Sequence, residues 1–189
     1  MRESMMPLTP FHVFPAGTVY LLTYRYLHGL AFFLATFLID IEPVLYMIFG
    51  VPQPRVPLLF GGYAPMGLHM ITHNPFTVIV LIAPAMTILA KLLELGKPLW
   101  LEIFRGAEWI NYSWARTYLS ALAGGFLHLG WDLTMHSDIN LGFPFISLPN
   151  PFVNYTVLAS IGVASVALIL PSYFVGKKIN RGSPFQKLP

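Results

Sequence analysis

The chain has 189 residues, 56% of them hydrophobic and only 10% charged, where a soluble domain carries about 25% charged residues. That excludes a water-facing globule, and a 15% aromatic content excludes a disordered chain. Cysteine is absent and the net charge is +3, so disulfides and thiolate metal sites are out, and the basic residues form no aromatic-interleaved patch of the kind that binds nucleic acid.

What remains is one all-α integral membrane domain over 1–189, with the lipid bilayer as its first partner. A helix containing the polar His12 is expected over about 10–26, and the lead-in Met1-Arg2-Glu3-Ser4 lacks a signal-peptide core and cleavage site. The second apolar segment, 29–49, carries Asp40 and Glu42. Gly50, Pro52, Pro54, Pro57, Gly61, Gly62, Pro65 and Gly67 mark 50–67 as a loop. A third helix is expected over about 75–93. In 99–110, Glu102, Arg105 and Glu108 recur every third residue among Leu101, Phe104, Trp109 and Ile110, the pattern of an amphipathic helix lying in the interface. The fourth helix covers about 115–136, and Gly142, Pro144, Pro149 and Pro151 mark the next loop. The fifth, 152–175, holds no charged residue and is the clearest span, followed by a tail over 177–189. The expectation is thus a bundle of about five transmembrane helices plus one interfacial helix.

Five spans with the C-terminus inside put Arg25, Lys91, Lys97, Arg105, Arg116, Lys177, Lys178, Arg181 and Lys187 on the inner side, and only Arg2 and Arg55 outside. Nine against two is a strong positive-inside bias, predicting the N-terminus outside and the C-terminus in the cytoplasm.

That topology gathers the ionisable residues at one depth. His12, Asp40, Glu42, His69, His73, His128, Asp132 and His136 all fall toward the outer face, and His28 alone at the inner end. An intramembrane ionisable group is a functional candidate by default. His69 and His73 are four apart, so on a helix they would share a face, offset by about 40° and about 6 Å in rise. His128, Asp132 and His136 repeat that spacing, and paired helical ligands are a common grip on a metal. Asp40 and Glu42 diverge by about 200° on a helix, so both reach one site only if the helix ends or bends, which Pro43 favours. A lone membrane histidine more often hydrogen-bonds between helices, and Asp40 alone could simply pair with a buried histidine. The combined spacings make metal binding the stronger reading. His28 is assigned a structural, interfacial role, Trp100 and Trp109 serve as interface anchors, and Arg55 is a solvated loop charge.

Thr9-Pro10-Phe11-His12, Asp40-Ile41-Glu42-Pro43, Leu68-His69 with Thr72-His73, and Leu127-His128-Leu129-Gly130-Trp131-Asp132, followed by Gly142-Phe143-Pro144-Phe145, stand in one order over about residues 7–151. This order resembles the membrane-bound metal-dependent hydrolases, the LexA-regulated inner-membrane hydrolases and related archaeal proteins. The resemblance implies a metal-dependent hydrolase with His12, Asp40, His69, His73, His128 and Asp132 at the matching polar positions. Met70-Ile71 stand where many members have Arg-Gly, Asn74 where many have Ser, and Glu42 where the second acid is often Asp. A more distant likeness is to zinc-dependent phospholipase C, which also uses His-x-x-x-Asp pairs on helices.

The expectation is therefore an enzyme. A divalent ion, zinc by preference for an imidazole and carboxylate set, is held by His12, Asp40, His69, His73, His128, Asp132 and His136. Glu42 or Asp132 would serve as general base, and the substrate is an ester or phosphoester, a lipid being the natural guess. The alternative is a non-catalytic membrane protein with a structural metal site or a buried His/Asp network. A metal-transport path would need polar groups through the inner half, where the sequence offers little beyond His28.

Overall fold

A computed structural model of the chain describes residues 12–50, 55–95 and 112–179. The expected interfacial helix over 99–110 and the tail beyond residue 179 lie outside the described residues. The fold is mostly helical: α1 (Val13–Thr23), α2 (Gly29–Leu38), α3 (Ile41–Phe49), α4 (Pro75–Thr77), a π-turn (Val78–Ile82), α5 (Ala83–Leu95), α6 (Trp114–Asp132) and α7 (Tyr155–Ile179).

The expected second helix is broken in two at Ile39 and Asp40. Pro43 is the physical cause. It has no N–H for the carbonyl of Ile39 four residues earlier, and its ring would crowd that carbonyl in a continuous helix. The freed Ile39 carbonyl instead accepts the hydroxyl of Thr72 at 2.9 Å. At the third position of a new helix the missing N–H costs nothing, so α3 starts afresh from Asp40.

The purely helical expectation needs one correction. Within the Pro- and Gly-rich 50–67 stretch, β1 (Arg55–Pro57) pairs antiparallel with β2 (Tyr63–Pro65), Val56 opposite Ala64. Gly61 and Gly62, at φ 95° and 84°, make the turn that a side chain would strain. Leu58 and Ala64 of this hairpin bury against Met70, with Phe143 alongside, forming a small apolar cap on the 66–74 loop.

The main core lies between α2, α5 and α6. Ala31, Ala35, Ala121, Val78 and Ala90 are fully buried there. Small residues let apolar helices approach closely. A Cβ built on Gly124 would stand 2.2 Å from the carbonyl oxygen of Phe32, so the α2–α6 crossing requires glycine. α1 packs along α7, with the Thr18 hydroxyl donating to the Ser165 carbonyl at 3.2 Å.

Among the described residues, three helical stretches are long and apolar enough to cross a membrane: Gly29–Phe49, Pro75–Glu94 and Tyr155–Ile179. They correspond to the expected second, third and fifth spans, so the expected count of five is not confirmed. α1 has only 11 residues. α6 has 19, but Arg116, Thr117, Ser120, Gly124, Gly125, His128 and Asp132 dilute its apolar character. α7 exposes Val163, Leu170 and Phe174, an apolar surface suited to lipid.

At one end of the bundle Arg25, Lys91, Arg116, Lys177 and Lys178 gather. Arg25 donates to the Ile179 carbonyl at 3.2 Å, Arg116 to the Tyr26 carbonyl at 2.8 Å, and Lys91 to the Tyr112 carbonyl at 2.6 Å. His28 is buried at this end, paired with Glu94, which also holds Lys91 at 2.8 Å. His12, Asp40, His73 and Asp132 lie at the opposite end.

Candidate metal centre

Four side chains from three places in the chain converge on one point. Asp40 comes from the α2–α3 break, His73 from the loop ahead of α4, and His128 and Asp132 from the last turns of α6. Nε2 of His73 lies 3.3 Å from Oδ1 of Asp40 and 3.0 Å from Oδ2 of Asp132. Nε2 of His128 lies 3.1 Å from the same Asp40 oxygen and 3.0 Å from the same Asp132 oxygen. Donors about 2.1 Å from an ion stand about 3.4 Å apart around a tetrahedral centre and about 3.0 Å apart around an octahedral one. The four His–carboxylate separations fall in that interval, and all four ligand atoms lie within 4.8 Å of one another. The four groups are buried, and together they could hold a metal ion.

The helical spacing works as expected for one pair. His128 and Asp132 share a face of α6, on the same buried stripe as Thr117, Ala121 and Gly124. The small residues low on that stripe draw α6 against α2 and carry the two ligands toward Asp40.

The other two spacing expectations are corrected. His69 and His73 lie in the 66–74 loop and on no helix. Their rings still meet, 4.9 Å apart and edge to face. α6 ends at Asp132, so His136 leaves the stripe and stacks on His69 at 3.8 Å.

A relay behind His73 fixes which of its nitrogens faces the cluster. Thr72 Oγ1 lies 2.9 Å from His73 Nδ1, 2.9 Å from the Ile39 carbonyl and 2.7 Å from Oε2 of Glu42. The carbonyl and the carboxylate can only accept, and the hydroxyl has one proton to give. It goes to Ile39 or Glu42, so Nδ1 of His73 must be the donor to Thr72. Nε2 then faces two carboxylate oxygens. Lone pairs cannot face carboxylates without a positive charge between them, so the site needs either a proton on Nε2 or a cation. Burial works against a charged His73, yet the hydrogen bonds to Asp132 and Asp40 push its pKa above the ordinary histidine range. Such an outer partner on the second ring nitrogen is the usual companion of a histidine metal ligand.

Glu42 is buried and spends both oxygens on this scaffold. Oε1 accepts the Ile71 amide at 2.8 Å, and Oε2 accepts the Thr72 amide at 2.6 Å. Asp40 and Glu42 thus serve one site from the two sides of the break. His12 reaches the centre through Asp132, its Nε2 2.7 Å from Oδ1, and its ring stacks on His128 at 4.3 Å. Among the described residues, Nδ1 of His128 and Nε1 of Trp131 are buried with no hydrogen-bond partner.

A second group of metal-capable side chains stands beside the first: His69, His136 and Asp138. Asp138 Oδ2 accepts the amides of Leu68 at 2.8 Å and His69 at 3.2 Å, and lies 3.2 Å from His69 Nδ1. Gly67 makes room for it, since a Cβ there would stand 2.7 Å from Oδ2. Burial opposes ionisation of Asp138, but the His69 hydrogen bonds hold its pKa at about 2. Burial, with His69 adjacent, pushes His136 down to about 4, so its imidazole is neutral near pH 7. Asn150 steadies this turn by donating to the carbonyls of Leu133 and His136, both at 2.8 Å.

Asp138, Thr72 and Asn150 are the residues that sequence reasoning missed. Asp138 follows His136 by two positions after a helix has ended, Thr72 acts through its hydroxyl from a loop and Asn150 through loop carbonyls, and no periodicity points to them.

Fold and centre together define a helical protein with membrane-length apolar helices and a buried His/Asp group able to hold a metal ion. Comparison with protein-family models, with curated proteins and with solved structures returns no match.

Proposed function

We propose that the protein is a membrane-embedded, metal-dependent hydrolase of the kind its motifs resemble, with zinc as the ion and an ester or phosphoester, lipids among them, as substrate. The observation that carries this reading is the convergence of two imidazoles and two carboxylates, with His–carboxylate separations of 3.0 to 3.3 Å and all four ligand atoms within 4.8 Å of one another. That donor set suits zinc. A divalent ion held there would supply Lewis-acid chemistry to the site.

The chain's own residues have distinct work. Asp40, His73, His128 and Asp132 hold the ion. Glu42 and Thr72 orient His73, which makes Glu42 a positioning residue rather than the base. Asp132 holds the ion through Oδ2, and its Oδ1 pairs with His12, so proton transfer would run through the His12–Asp132 pair. The gathering of Arg25, Lys91, Arg116, Lys177 and Lys178 at the other end supports a cytoplasmic C-terminus with the centre toward the outer face.

One observation favours a second reading. The four-donor group is closed and buried, as structural metal sites are, whereas a catalytic zinc keeps one position open. The test is hydrolysis by the zinc-loaded protein in detergent of bis(p-nitrophenyl) phosphate, p-nitrophenyl esters and phospholipid in mixed micelles. Metal-dependent turnover abolished by Asp132→Ala is the expected result. Bound metal with no turnover of any of these would leave the structural site as the function.

A further inference from the structure

The closed four-donor group leaves open where a substrate would meet an ion. We propose that His69, His136 and Asp138 hold a second divalent cation beside the first, and that this second ion is the one with coordination positions open to substrate. The inference rests on the hydrolase reading and deepens it.

Three observations support it. The three side chains offer one ligand atom each within 4.8 Å of one another. Three protein donors leave a fourth position free, the arrangement of catalytic rather than structural zinc. The group is also the more open of the two: the Asp138 side chain is 30% exposed, against 1% for Asp132.

The surroundings form a built site. Asp138 is fixed by two loop amides and fits only because residue 67 is glycine. His136 is fixed through Asn150, which ties down the carbonyls on its turn. The two groups are physically continuous, since His69 of the second meets His73 of the first edge to face. An ion with a free position there would polarise a phosphoryl or acyl oxygen and activate water, with the closed ion beside it adding positive charge, so the substrate class is an oxyanion-bearing ester, phosphoesters foremost.

The experiment is metal stoichiometry by mass spectrometry on the full-length, detergent-purified chain after equilibrium dialysis against zinc. Wild type is compared with His136→Ala and Asp138→Asn, each checked for wild-type elution by size exclusion. The expected result is about two equivalents in wild type and about one in each variant, as for a two-metal centre. One equivalent in wild type, or wild-type stoichiometry in both variants, overturns the second site and leaves the four-donor site standing. No metal in wild type overturns both.

Openness has its own readout. In the cobalt-loaded protein, inorganic phosphate should shift the visible absorption of wild type and leave that of His136→Ala unchanged. An unchanged wild-type spectrum, or equal shifts in the two proteins, would show that this ion is not the open one. His69, His136 and Asp138 would then be a loop lock.

Discussion

The hydroxyl of Thr72 stands 2.9 Å from Nδ1 of His73 and determines which nitrogen of that ring faces Asp40 and Asp132. Its proton is committed to the Ile39 carbonyl or to Glu42, so the ring must donate to it. Thr72→Val removes the acceptor while keeping the shape. Metal affinity should fall about 10- to 100-fold, the usual effect of losing an outer-shell partner, and Thr72→Ser should restore it. Equal affinities in wild type and Thr72→Val, measured by titration with a fluorescent zinc chelator as competitor, would remove the relay from the account.

Glu42→Gln separates positioning from proton transfer. The Gln side chain brings an N–H₂ where Glu42 now accepts the Thr72 amide and hydroxyl. Replacing charged acceptor bonds in this buried place should cost about 1.5–3 kcal/mol of stability and weaken metal binding with it. A general base would instead show a lower kcat with metal affinity intact. Metal titration and kcat on the same preparation distinguish the two.

Gly124 and Gly130 sit on one helix with opposite surroundings. A Cβ at Gly124 would meet the Phe32 carbonyl at 2.2 Å, whereas one at Gly130 meets nothing within 4 Å. Gly124→Ala must push α2 from α6, costing about 1–3 kcal/mol and pulling Asp40 away from His128. Gly130→Ala should be neutral or stabilising by up to about 1 kcal/mol. Thermal melts in detergent, read beside zinc content, check both.

His28 is the control for the centre. It is as buried as the ligands, but its partners are Glu94 and, through the Ala31 amide, the start of α2. His28→Ala should lower stability by about 1–3 kcal/mol and leave metal content unchanged. Loss of metal in His28→Ala would mean that the two ends of the bundle are coupled in a way the geometry does not contain.

The parts of the fold legible in sequence are those governed by periodicity. The apolar run of α7 and the shared face of His128 and Asp132 follow directly from a 3.6-residue repeat. Pro43 also signals the break that lets Asp40 and Glu42 serve one site. The 66–74 loop was not legible, because its shape depends on Glu42 and Asp138, which are distant in sequence and carry no local signal. The same holds for His136, whose spacing from Asp132 continues a helix that has already ended. Gly61-Gly62 was visible as a turn, but the strands on either side are three residues each, too short for an alternating pattern to show.

The most direct test of the central claim is the zinc content of detergent-purified protein dialysed to equilibrium, wild type beside His128→Ala. The convergence of Asp40, His73, His128 and Asp132 predicts tightly held metal in wild type and loss of that ion in His128→Ala. A wild-type protein that takes up no zinc, or a His128→Ala variant that holds as much as wild type, would contradict it and leave the cluster as a buried hydrogen-bonded network.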